Sequence, residues 1–282
     1  MSLVAVIGAG TMGSGIAQAC AVAGHTVKLH DMNEDARVRG MQAIKQSLER
    51  LVKKGQLSEN QKAEALARIT LIGDLDQIKE ADVIIEAVFE NLEVKEKVWK
   101  KLDAIAQEAA LLASNTSSLS ITELASFTTR PERFCGLHFF NPVAVLPLVE
   151  VIRALKTSDA TIQEAKSFVE GIDKTPIICE DKPGFIVNRL LVPYMNDAIH
   201  ALAEGVASAE DIDKAMKLGA NMPIGPLALA DLVGLDVALA AGESLYHEFQ
   251  DSKFRIPPLL RQMVRAGKLG RKTGEGFYKY GD

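Results

Sequence analysis

One glycine-spaced stretch near the start of the chain constrains its fold more than any other. Val4 to Ile7 is a short apolar run of strand-forming residues. Gly8, Gly10 and Gly13 follow, then an apolar-periodic stretch through Ile16, Ala17, Ala19, Cys20 and Ala23. Gly24 ends that stretch, a second apolar run with Val27 and Leu29 comes next, and Asp31 closes the unit 23 positions after Gly8. Strand, glycine turn, helix, strand and acid, in that order, make the fingerprint of a dinucleotide-binding βαβ unit. Gly8 permits the tight turn, Gly10 lets backbone approach a pyrophosphate, and Gly13 lets the helix pack closely on the sheet. Thr11 and Met12 open the helix, where unpaired amides face the phosphates. Asp31 stands where a carboxylate holds the two ribose hydroxyls. It would repel a 2′-phosphate, and no arginine follows it directly, so the expected cofactor is NAD.

The rest of the first two-thirds continues in the same alternation. Val38, Met41, Ile44, Leu48, Leu51 and Val52 recur at helical spacing from about Glu34 to Lys54, and a second helix is expected from Glu59 to Arg68 with Ser58 as its cap. This pair is longer than a minimal crossover, which predicts an inserted helical projection. Its polar face carries Arg37, Lys45, Ser47, Arg50, Lys53 and Lys54, and by pattern alone reads as a solvated helix side. Strands are expected at Ile69–Ile72, around Val83–Ile85, at Ala110–Ala113, up to His138, at Leu148–Ile152 and at Thr175–Cys179. Glu86 and Glu90 lie near the end of one strand, and the polar run from Ser114 to Ser118 lies directly after another. In a doubly wound sheet the ligand sits beyond those strand ends. After Lys182 the pattern turns helical, apart from a short tail strand expected at Phe277–Tyr280. The expected fold is an α/β Rossmann-type N-terminal domain, residues 1–182, followed by an all-α C-terminal domain, residues 183–282.

Bulk properties narrow the function classes. The 282 residues are 48% hydrophobic and 24% charged, as in a soluble globular protein with a large core, and no apolar run is long enough to span a bilayer. A net charge of −5 offers no field to attract nucleic acid, and an anionic ligand would need local positive groups. The start of the chain has no basic, cleavable leader. Three dispersed cysteines, Cys20, Cys135 and Cys179, show neither a disulfide pattern nor a metal-binding spacing, and suit a reducing cytoplasm.

A hydride transfer needs a group to move the accompanying proton, and histidine is the usual choice. Of the five histidines, His25 lies in a turn, and His200 and His247 lie in helices of the second domain. His30 neighbours Asp31. His138 is the best candidate, because it stands at a strand end before the turn Asn141-Pro142. Glu150 follows in the next strand, where it could fix the imidazole tautomer and stabilise its charged form. By pattern alone, a hydrogen-bonded core histidine beside an unrelated acid fits as well.

Six stretches then match one family in order along the whole chain: VAVIGAGTMGSGIAQ, SNTSSLSIT, GLHFFNPVAVLPLVEV, KPGFIVNR, EDIDKAMKLG and GRKTGEGFYKY. The chain resembles the L-3-hydroxyacyl-CoA dehydrogenases, most of all the short 3-hydroxybutyryl-CoA type. The resemblance implies His138 as catalytic acid/base with Glu150 as its partner, and Ser117 and Asn188 as substrate contacts near the reacting centre. It places Glu90, Lys95, Asn141 and Lys272, together with Ser117, at cofactor-contacting positions. Ser47 and Lys54 match positions that hold coenzyme A, which replaces the solvated-face reading of that helix. It also implies a homodimer built mainly through the helical domain. A dicarboxylic acyl-CoA such as 3-hydroxyadipyl-CoA would suit the same motifs. The rivals from other classes are a noncatalytic NAD-binding regulator and a dehydrogenase of hydroxy acids without CoA.

Overall fold

The computed structural model describes residues 1–281, and the chain divides into two compact units between Asp181 and Lys182. The first begins with β1 (Leu3–Ile7), α1 (Thr11–Val22) and β2 (Thr26–His30). The crossover to β3 (Ile69–Ile72) carries two helices, α2 (Glu34–Lys53) and α3 (Glu59–Ala67). Asn33 caps α2, while Ser58 and Gln61 form a reciprocal capping box at α3. Then come β4 (Val83–Glu86), α4 (Leu92–Ile105), β5 (Leu111–Ser114), α5 (Ile121–Ser126) and β6 (Phe134–Phe139). β7 (Leu148–Arg153), α6 (Asp159–Gly171) and β8 (Thr175–Glu180) complete the unit.

The eight strands form one sheet in the order β3-β2-β1-β4-β5-β6-β7-β8. The first six are parallel, β7 runs antiparallel to β6, and β8 is parallel to β7. The order reverses between β1 and β4, the switch point at which doubly wound sheets bind ligands. β1, β4 and β5 are apolar throughout their centres because helices cover both faces. The only tryptophan, Trp99 of α4, is fully buried and packs edge-on to Phe134 of β6, ring centroids 4.6 Å apart.

The second unit is helical: α7 (Val187–Ala203), α8 (Ala209–Gly219), α9 (Pro226–Val233), α10 (Leu235–Phe249) and α11 (Pro258–Arg265). α7 starts two residues later than its apolar pattern suggests, because Gly184 and Phe185 take φ of 75° and 49°, outside the right-handed helical region.

The expected tail strand does not form. Residues 270–280 make a single 3₁₀ turn, Arg271–Thr273, and two isolated bridges, Gly270 to Glu275 and Glu275 to Lys279. A side chain replaces the neighbouring strand: buried Asp231 of α9 accepts from the amides of Phe277 and Tyr278 at 2.9 and 3.0 Å and from the Tyr280 hydroxyl at 2.9 Å. Gly276 is required here, since a Cβ would fall 1.9 Å from Asp231 Oδ1. Burial, reinforced by the bond to Asp231, pushes the Tyr280 phenol from the ordinary 10.0 up to about 12. The fold binds the protonated phenol, so this contribution is complete below the unfolded value and is lost as pH rises through the folded one. Asp231→Asn is expected to destabilise the helical unit by about 2–3 kcal/mol and to flatten the loss of stability on going above pH ~10. Urea unfolding of both proteins across that range checks it.

Candidate active site

At the switch point the glycine turn leaves β1. Gly8 has φ of 108°, and a Cβ on it would lie 2.4 Å from the Ala87 carbonyl oxygen beyond β4. A Cβ on Gly13 would lie 1.8 Å from the Gly8 oxygen, so only glycine lets α1 begin this close to the turn. Gly10 is different, with open space where its Cβ would stand. α1 has neither a capping side chain nor an acid in its first turn. The amides around Thr11 and Met12 therefore meet no competing carboxylate of their own helix, and this cradle fits a pyrophosphate. Asp31 follows β2. Its two carboxylate oxygens accept from the amides of Ala9 and Asn33, each at 2.9 Å, which holds the acid beside the turn with lone pairs to spare for ribose hydroxyls.

Next along the same edge, β4 and β5 end side by side, with Glu86 in register with Ser114. Glu86 is wholly buried. Lys95, 1% exposed, projects from α4 and pairs with Glu86 at 2.5 Å and Glu90 at 3.2 Å. Ser114 Oγ donates to the second Glu86 oxygen at 2.7 Å. Glu90 Oε1 accepts from Thr116 Oγ1 at 2.5 Å and from the amides of Ser117 and Ser118 at 2.9 and 3.2 Å. Burial alone would raise the Glu90 pKa. The Lys95 charge and the bonds from Thr116 and Ser117 outweigh it, and the carboxyl titrates below its ordinary value. Of the two residues expected at the cofactor here, Glu90 keeps 35% of its side chain exposed, whereas Lys95 lies beneath it with its ammonium committed to two carboxylates.

β6 extends three residues beyond the end of β5, because Ser114 pairs with Gly136. His138 is thus carried past the β5 edge. β7 returns antiparallel and puts Glu150 directly opposite, with Nδ1 and Oε2 2.7 Å apart. His138 is 6% exposed and Glu150 fully buried. An ionised carboxylate only accepts, so Nδ1 carries the shared proton and Nε2 is the basic nitrogen of the neutral ring. The Asn115 side chain accepts from the Phe139 amide at 2.9 Å and ties the serine turn to this strand. His30, the other histidine near the cofactor edge, is buried, and burial lowers its pKa.

The remaining expected residues lie elsewhere. Ser47 is half-buried on α2, and Lys54 is the exposed C-cap residue of that helix. Asn141 is exposed after β6, in a loop that folds back on α1 so that Val143 would lie 2.9 Å from a Cβ on Gly15. Asn188 is in the first turn of α7, and Lys272 pairs with Asp236; both belong to the helical unit. Glu86, Ser114, Asn115 and Thr116, expected at the ligand edge but given no role there, enter the site network. The signal was available in the acid ending β4 and the lysine one helical turn into α4. Among the described residues no cluster could hold a metal ion, and no helix is long and apolar enough to cross a membrane.

Residues 3–182 match the sequence family described as 3-hydroxyacyl-CoA dehydrogenase, NAD binding domain, and residues 184–280 match that described as 3-hydroxyacyl-CoA dehydrogenase, C-terminal domain. The chain belongs to the 3-hydroxyacyl-CoA dehydrogenase family. Like other family members it is an NAD-dependent enzyme with a Rossmann-type domain ahead of a helical one. It is 49% identical to a 3-hydroxybutyryl-CoA dehydrogenase of Clostridioides difficile over 98% of both chains. It is 47% identical to the human mitochondrial hydroxyacyl-coenzyme A dehydrogenase over 98% of this chain and 90% of that one. The crystal structure of (S)-3-hydroxybutyryl-CoA dehydrogenase from Ralstonia eutropha superposes with a TM-score of 0.95 at 51% identity, covering 100% of both chains.

Proposed function

We propose that this dehydrogenase interconverts (3S)-3-hydroxyacyl-CoA and 3-oxoacyl-CoA, with 3-hydroxybutyryl-CoA as its substrate. The observation that carries the reading is the buried His138–Glu150 pair at the carboxyl edge of an NAD-binding sheet. NAD supplies the hydride acceptor when bound. Gly8, Gly10, Gly13, Thr11 and Met12 would hold its pyrophosphate and Asp31 its ribose, with Glu90, Ser117, Asn141 and Lys272 as further contacts, while Lys95 would act from beneath Glu90 rather than by touching the cofactor. In oxidation His138 Nε2 takes the hydroxyl proton, and Glu150 stabilises the imidazolium that forms. Ser117 and Asn188 orient the reacting oxygens. In reduction His138 returns the proton to the carbonyl oxygen. Ser47 and Lys54 bind coenzyme A.

Three further observations bear on the working form of the enzyme. The cysteines carry no disulfide, which supports a reducing, cytoplasmic setting. Leu190, Val206, Leu218, Leu232 and Val237 of the helical unit are each at least half exposed, which supports a homodimer built through that unit. The basic groups on and beside α2 supply positive charge to an acidic protein at the proposed CoA contact.

His138→Gln is expected to lower turnover of acetoacetyl-CoA with NADH by about 10²–10⁴-fold while NADH binding, followed by fluorescence titration, stays close to normal. Near-normal turnover would remove His138 from the chemistry, and activity on free acetoacetate equal to that on the CoA ester would remove CoA from the substrate. Lys54→Glu is expected to raise KM for acetoacetyl-CoA about tenfold and to leave KM for the pantetheine ester little changed; equal effects on the two esters would refute the contact. Light scattering is expected to return twice the 30.5 kDa chain mass, and a monomer at assay concentration would refute the dimer.

A further inference from the structure

We propose that Glu86 is a positioning residue of the reaction site: through Lys95 and Ser114 it sets the Ser114–Ser118 turn against the strand that carries His138. The proposal rests on the reading that His138 and this turn form the reaction site.

Glu86 uses both carboxylate oxygens inside the protein. One accepts from Lys95 Nζ at 2.5 Å and from the Val88 amide at 2.9 Å, and the other accepts from Ser114 Oγ at 2.7 Å. Ser114 Oγ in turn accepts from the Thr116 amide at 3.2 Å. Lys95 passes the remainder of its charge to Glu90 at 3.2 Å, and Glu90 gathers the amides of Ser117 and Ser118. Three successive turn amides, those of Thr116, Ser117 and Ser118, thus end on side chains that Glu86 anchors directly or through one lysine. The same turn reaches the neighbouring strand through Asn115, whose side chain accepts from the amide of Phe139, one residue beyond His138.

The charge balance makes Glu86 the key member. Lys95 sits between one carboxylate with no exposure and another that is one-third exposed. Without the Glu86 charge, the buried ammonium keeps Glu90 as its only charged partner and must draw on the carboxylate that holds the turn. A Gln at 86 would also point an amide donor at either Lys95 or Ser114, both of which donate there. The turn would then lose its register against β6. Displacements of about 1 Å at a reacting centre cost on the order of a hundredfold in rate.

The test pairs turnover with a measurement that does not depend on it. Glu86→Gln is expected to lower kcat for acetoacetyl-CoA by about ten- to a hundredfold with KM for the ester nearly unchanged. Hydrogen exchange at the Thr116, Ser117 and Ser118 amides should quicken about tenfold while the β1 amides keep their protection. Ser114→Ala is expected to show the same pattern more weakly, and the double variant to be no slower than Glu86→Gln alone, because Glu86→Gln already removes the link that Ser114 makes. A purely structural Glu86 predicts instead a lower melting temperature with kcat per folded molecule unchanged, and that result overturns the proposal. So do additive losses in the double variant. If Glu86→Gln does not fold, Ser114→Ala decides: unchanged kcat and unchanged turn exchange reject the link. A wild-type protein inactive on acetoacetyl-CoA defeats the functional reading, and the exchange data then judge the Glu86 link separately.

Discussion

A buried charge has to be matched, and that constraint shapes the carboxyl edge of this sheet. Glu86, Lys95, His138 and Glu150 are all nearly or wholly inaccessible. Glu86, Lys95 and Glu150 could not sit there alone, because taking an isolated ionised group out of water costs several kcal/mol even after relaxation, and His138 gives Glu150 its donor. The fold answers with pairs whose members come from different elements: Lys95 of α4 on Glu86 of β4, and His138 of β6 on Glu150 of β7. Each pair locks together elements that backbone hydrogen bonding alone leaves adjustable at their ends. The polar groups of the site are thereby held in place before any ligand arrives, which is the condition for directional catalysis.

The single reversal of direction in the sheet follows from the same need. In a parallel sheet every strand presents its carboxyl end to the ligand edge, and an acid early in a strand would face the opposite edge. Glu150 is the third residue of β7. Only an antiparallel β7 places it opposite His138, the fifth residue of β6. The switch from parallel to antiparallel pairing after six strands is what brings two distant residues into one hydrogen-bonded pair, and the loop between them is then free to return over α1.

Much of this was legible from sequence. The βαβ unit could be read because glycine spacing, strand runs and an acid each carry their own physical requirement. The helices of the second unit could be read because breakers such as Gly205, Gly219 and Pro223 separate their periodic faces. His138 and Glu150 could be offered as a pair, but their register could not be read, because it depends on the turn between Asn141 and Pro147. The tail was misread as a strand for a related reason. The aromatic-rich run of Phe277, Tyr278 and Tyr280 looks like a strand, yet the amides there are satisfied by the Asp231 carboxylate, 46 positions away in sequence for Phe277. Glu86 was the least legible. Its strand-end position placed it at the ligand edge, but only packing shows that Lys95 and Ser114 close over it.

The end of β4 is therefore where the glycine turn and the serine turn meet. Gly8 packs against the Ala87 carbonyl, and the Ala87 amide donates to Ile7 at 2.7 Å, so the glycine turn takes its position from the residue after Glu86. One residue earlier, Glu86 itself fixes the serine turn through Ser114 and Lys95. A shift of this strand end would move both turns together and keep their mutual spacing. Hydride transfer depends on that spacing, since reacting atoms must approach to about 3–3.5 Å in line. Anchoring both turns to adjacent residues of one central strand, hydrogen-bonded on both sides within the sheet, keeps the distance insensitive to motion of the covering helices.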